Sequence, residues 1–144
     1  MNTRVLAATV AGGAAMFLFG FLIYGLLLDP TVMKPNMNEF AGLTKDPPDW
    51  ISLILANLVY SFLLALVFDK WASIRTASGG AIGGAILVFL ITLTMQLFFM
   101  AFMNLSKNYI PVIADVIGGT VLGAITGAAI GWVLGFMSKE SAPA

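Results

Sequence analysis

The sequence contains no cysteine and no histidine. The first absence excludes disulfides, thiol nucleophiles and thiolate metal sites. The second excludes imidazole ligands and imidazole acid–base chemistry. Charge is also scarce. Lys and Arg total 7, Asp and Glu total 7, and 10% of residues are charged, against about 25% in an ordinary soluble domain. Sparse, balanced charge provides no basic face for phosphates, so nucleic acid is not an expected partner. Nor is there a polybasic run to attract anionic lipid. No catalytic, metal or nucleotide motif is present, so the chain reads as a non-enzyme with no cofactor.

What the sequence does have is apolar length. Hydrophobic residues make up 60% of the 144. With so few charges, such a chain cannot cover a water-facing surface, and the lipid bilayer is its expected solvent and first partner. Four apolar stretches stand at 5–28, 50–68, 79–103 and 110–136. Each reaches or approaches the ~20 residues a helix needs to span a bilayer, and the last two exceed it, which predicts tilt. The expected fold is therefore all-α, a single domain over 1–144 with four transmembrane helices and a long loop at 29–49. The first stretch follows one arginine, Arg4, and ends at Leu26-Leu27-Leu28-Asp29-Pro30. It is longer than the ~7–15 residues of a signal h-region and has no small-x-small cleavage site, so it reads as a retained helix.

Orientation follows from basic residues near helix ends. Arg4, Lys70, Arg75 and Lys139 fall on the side of the termini, with Lys34, Lys45 and Lys107 opposite. The bias predicts cytoplasmic termini. Trp50 and Trp71 flank the second helix as headgroup-level anchors. Asp49, after the rigid Pro47-Pro48, is placed to cap that helix. Residues 32–43 hold Met33, Met37, Phe40 and Leu43 among polar residues, and Pro35 is expected to interrupt any early helix there. This segment either lies on the membrane surface or covers the polar residues below it. Gly12-Gly13-Ala14 is echoed by Gly79-Gly80-Ala81, and Ala56-Asn57 by Ala114-Asp115. Those echoes suggest two parallel two-helix repeats.

Two patterns carry the functional argument. Gly119, Gly123, Gly127, Gly131 and Gly135 recur every four residues along the fourth helix. Each step advances about 40° around the axis, so the stripe is a slow spiral that admits a close neighbour. Gly79, Gly80, Gly83 and Gly84 open the third helix at the matching level. The stripe has two readings: contact within one bundle, or an oligomer interface with further copies or a larger membrane partner.

The second pattern is a set of polar residues, one per helix. Tyr24, Asn57, Gln96 and Asp115 all fall ~6–12 Å inside the boundary opposite the termini. Asp115 is the one acid expected inside a helix. Polar groups in lipid turn inward to find partners or water. The set is thus either hydrogen-bond glue between helices or a small ligand, proton or cation site.

Several segments carry a resemblance. They are Lys45-Asp46-Pro47-Pro48-Asp49, Ala56-Asn57, Asp115-Val116-Ile117-Gly118-Gly119-Thr120 and Gly131-Trp132-Val133-Leu134-Gly135. Through them the chain resembles a family of small, uncharacterised four-helix membrane proteins of bacteria. The resemblance implies an inner-membrane setting and transfers no activity or site residue. The sequence favours a structural, accessory or self-assembling membrane subunit that works through helix packing. The alternative is a small transporter, channel or ligand-binding protein using Tyr24, Asn57, Gln96 and Asp115.

Overall fold

The computed structural model describes residues 3–140, with side chains through Ser138. Lys139, counted above toward orientation, has its side chain outside that description. Four helices follow in order: α1 (Thr3–Asn36), α2 (Trp50–Ala72), α3 (Ala77–Phe102) and α4 (Ile110–Glu140). No strand occurs among the described residues. All four helices are long and apolar enough to cross a membrane.

The helix starts are set locally. The Asp49 carboxylate accepts from the backbone N–H of Ile51 at 3.1 Å and of Ser52 at 3.3 Å, which satisfies two of the donors α2 leaves open. Thr76 Oγ1 accepts from Gly79 N at 3.1 Å to begin α3. Asn108 Oδ1 accepts from Ile110 N at 2.9 Å to begin α4. The two indoles stand outward at the ends of α2, Trp50 half exposed and Trp71 79% exposed.

The first helix departs from expectation. It does not stop at residue 28 but runs through Asp29, Pro30 and Pro35 to Asn36, and the loop begins at 37. From Phe21 to Met33 the winding widens to a π-helix that contains Pro30. Proline lacks an N–H and its ring crowds the carbonyl four residues back, so an ordinary α-turn would kink there. A wider turn moves that carbonyl away. The apolar run ends at Leu28, but the helix does not, and Pro35, expected to interrupt a helix, lies within its last turn. Of the segment 32–43, residues 39–43 are exposed, whereas Met33 and Met37 line a cavity beside Gln96.

Packing is uneven. The fully buried core lies toward the end that carries the termini: Val5 and Ala8 of α1, Leu64, Ala65 and Phe68 of α2, Val88 of α3, and Ile130 and Leu134 of α4. All four helices meet there, and Phe68 and Ile74 lie against Gly83 of α3. Toward the far end the packing opens, and residues 50–56 of α2 are exposed throughout.

The tightest seam joins α3 and α4. A methyl group added at Gly127 would overlap the Gly80 carbonyl and come within 2.9 Å of Gly84 Cα. One added at Gly84 would overlap the Gly123 carbonyl, and one at Gly80 the Gly127 carbonyl. Gly131 and Gly135 face the Thr76 and Arg75 carbonyls, while Gly123 and Gly119 face Val88 and Thr92. The whole stripe is therefore occupied inside the chain, backbone against backbone over much of its length. The glycine pairs that suggested a duplication make different contacts. Gly80 meets the α4 backbone, whereas Gly12 meets the Ser61 and Ile130 side chains and Gly13 meets Leu58.

Candidate functional site

Three of the four polar residues named from the sequence converge. Gln96, on α3, donates from Nε2 to Asp115 Oδ2 on α4 at 2.5 Å. Tyr24, in the widened part of α1, donates its hydroxyl to the Asp115 backbone carbonyl at 3.1 Å. All three residues are half buried. Room for the phenol comes from α4 itself. The Tyr24 oxygen would lie 3.5 Å from a methyl placed on Gly118 and 3.4 Å from one on Gly119. The head of the glycine stripe thus seats the tyrosine that ties α1 to α4. Asp115 is the sixth residue of α4 and lies beyond the first turn, so it does not act as the cap.

Asn57 does not join them. Its Nδ2 donates to the Leu53 carbonyl on its own helix at 2.7 Å. It lines a separate apolar cleft of about 420 Å³ between α1 and α2, with Tyr24, Phe17, Phe21, Trp50 and Leu122 among its walls. Its amide is spent on its own helix, and it faces this cleft instead of the Gln96–Asp115 pair.

Gln96, on the side away from Asp115, borders a second cavity. This one has a volume of about 390 Å³ and is lined by Gln96, Phe99, Pro111, Val112 and Tyr109, with four methionines, Met33, Met37, Met100 and Met103. Its rim is clamped. Met37 and Ser106 form an isolated antiparallel bridge. Asn38 N donates to Leu105 O at 2.8 Å, and Lys107 N to Asn36 O at 2.9 Å. Asn38 Nδ2 reaches Asn104 O at 2.8 Å, and Asn108 Nδ2 reaches Asn36 Oδ1 at 2.8 Å. The Lys107 ammonium also lines the cavity but turns to the Pro35 carbonyl at 3.2 Å. Chemically, the pair offers one carboxylate able to take a proton or face a cation, held by an amide whose own carbonyl remains an acceptor.

The structure also shows a polar group that the sequence reading placed in a loop. Asp69 lies inside the last turns of α2, and its side chain is only 1% exposed. Arg4 Nε of α1 stands 3.1 Å from Asp69 Oδ1, and Arg75 Nη2 stands 3.3 Å from the same oxygen. Arg75 also donates to Ser138 of α4. Asp69 Oδ2 is buried without a hydrogen-bond donor among the described residues. Asp115 is therefore not the only acid within a helix. The signal was present: an acid directly after an apolar run, with arginines at 4 and 75 on the same side. Besides biasing orientation, those arginines pair with this acid.

The two acids sit at opposite ends of the bundle and form no pair. Among the described residues no group of three carboxylate, imidazole or thiolate residues is placed to hold a metal. Compared with protein-family models, curated proteins and solved structures, the chain matches none.

Proposed function

We propose that this chain is a multi-pass membrane protein of the bacterial inner membrane, with cytoplasmic termini, that binds or passes a small cation at its outer end. It is not an enzyme on this reading, and it uses Asp115 with Gln96 as its polar site. One observation carries the reading: Gln96, which donates to the Asp115 carboxylate, lines an open cavity of about 390 Å³ instead of being enclosed by packing. A pair that served only as glue would need no void beside it. Interhelical hydrogen bonds of that kind contribute only ~0.6 kcal/mol on average and up to ~1.7. A carboxylate in such a place is costly unless protonated, paired or hydrated.

The glycine stripe, which favoured a self-assembling subunit, supports that idea less once α3 covers it. What favours the accessory reading now is the exposed first half of α2 and the apolar cleft beside it, a face that a second copy or a larger membrane protein could cover. The deciding experiment is dye-monitored flux of protons and monovalent cations into liposomes carrying the purified protein. The wild-type chain is expected to raise flux above empty liposomes and Asp115→Asn to abolish the increase. Equal flux in wild type, variant and empty vesicles would remove the cation reading and leave the accessory one.

A further inference from the structure

The outer cavity is walled by an unusual donor set. Met33 and Met37 stand four residues apart at the end of α1, and Met100 and Met103 three apart at the end of α3. Four of the chain's 8 methionines thus line one cavity, in a protein with no cysteine and no histidine. Met33 and Met100 lie in the last turns of their helices and Met37 and Met103 are the first extended residues beyond them, and all four line the one cavity. The two pairs are not left to drift. The Met37–Ser106 bridge and the Asn38–Leu105 and Asn36–Lys107 hydrogen bonds fix one helix end against the loop that leaves the other.

We propose that Met33, Met37, Met100 and Met103 form a binding site for a soft monovalent cation of the copper(I) class. This rests on the cation reading above and names its substrate class. Thioether sulfur is a soft, neutral donor that selects copper(I) over hard cations, which take oxygen ligands. Neutral ligands need no deprotonation, so binding here is insensitive to pH, unlike a thiolate or imidazole site. The ion would bring one positive charge into a cavity bordered by Gln96 and, behind it, the Asp115 carboxylate. Lys107, the cation of the rim, already directs its ammonium to Pro35 O. Methionine also serves as an adaptable apolar lining. That role predicts no metal affinity, so the two are separable.

Silver(I), a redox-inert probe of the same class, tests the site on the full chain in nanodiscs. With methyl-labelled methionine, the resonances of Met33, Met37, Met100 and Met103 are expected to shift and saturate at one silver ion per chain. Met16, in the other cleft, and Met95, on the exposed face of α3, are built-in controls and should not move. Met37→Leu with Met100→Leu nearly conserves volume and so preserves folding. It should weaken silver binding by about tenfold or more, a loss of ~1.4 kcal/mol or above. Equal shifts at Met16 and Met95, no saturation, or unchanged affinity in the double variant would overturn the site. The two proposals fail separately. Lost flux in Asp115→Asn with no methionine-dependent silver binding leaves the cation reading without this substrate. Specific silver binding with unchanged flux in Asp115→Asn leaves a metal-binding site without transport through Asp115.

Discussion

The two ends of this bundle are made from the same kinds of residue and packed in opposite ways. At the terminal end glycines bring backbones into contact, all four helices share one core, and a buried carboxylate is held by two arginines. At the far end the first turns of α2 are exposed, two cavities open, and a carboxylate is held by a single amide. A glycine or an acid in an apolar helix therefore says little until its neighbour is known. Gly127 faces a backbone it cannot displace, while Gly20 has only Leu122 Cδ2 within reach of an added methyl, at 3.6 Å. Closure at one end lets the other stay open without the chain coming apart.

That contrast has its sharpest test in glycine. Gly127→Ala puts a methyl into the Gly80 carbonyl, and neither backbone has a flexible side chain to give way. Overpacking typically costs about 1–3 kcal/mol, and this site belongs at or above the upper limit. Gly20→Ala is expected to have the opposite sign, since alanine in a helix interior is favoured over glycine by roughly 0.5–1 kcal/mol where space allows. Reversible unfolding in mixed detergent measures both. Equal effects of the two substitutions would mean that the ends are not differently packed.

The second test removes the charge that joins the helices at the closed end. In Asp69→Asn the arginines lose their counter-charge. Breaking a fully buried pair costs about 3–5 kcal/mol. Arg4 and Arg75 keep 26% and 33% side-chain exposure, however, and can turn to water. A loss of about 2 kcal/mol is the expected balance. Amide exchange should speed up near Val5, Phe68 and Leu134 and stay unchanged near Gln96 and Asp115. Uniform acceleration along the whole bundle would show that the ends are not independent.

Much of this architecture was legible in the sequence, and the errors have identifiable causes. Apolar length alone gave four helices, because a span of that length has few other uses. Depth counting brought Tyr24, Gln96 and Asp115 to one level, since helical rise is nearly constant. It failed for Asn57 because rise says nothing about lateral position, and Asn57 bonds its own helix and lines the other cleft. The end of α1 lies beyond the end of its apolar run at Leu28, because a wide-turn helix accommodates Asp29 and Pro30. Asp69 was missed because the burial of a loop-edge residue depends on how far the helix continues, here to Ala72. The methionine cavity was invisible for a related reason: Met33 and Met37 lay in what read as loop, and nothing along the chain paired them with Met100 and Met103.

The smallest expected effect concerns how the open end keeps its helix. The first turns of α2 are exposed and depend on Asp49 more than on packing. The Ser52 hydroxyl donates to Asp49 Oδ2 at 2.8 Å, and this bond, with the backbone N–H groups of Ser52 and Ile51, holds the carboxyl below its usual range. The folded value is thus lower than the unfolded one, so the unfolded chain binds more protons in between. The cap's contribution is present above the unfolded carboxylate value of about 3.9 and is lost as pH falls through the folded value. At the closed end α3 begins on the neutral Thr76 hydroxyl, which has no such titration. Amide exchange at Ile51 and Ser52 should therefore gain protection as pH rises through the acid range, while exchange at Gly79 follows only intrinsic chemistry. Asp49→Asn keeps an acceptor oxygen but cannot titrate, so its protection should be independent of pH. If the asparagine variant retains the wild-type pH response, another carboxylate governs the opening of α2, and the open end is held by something other than its cap.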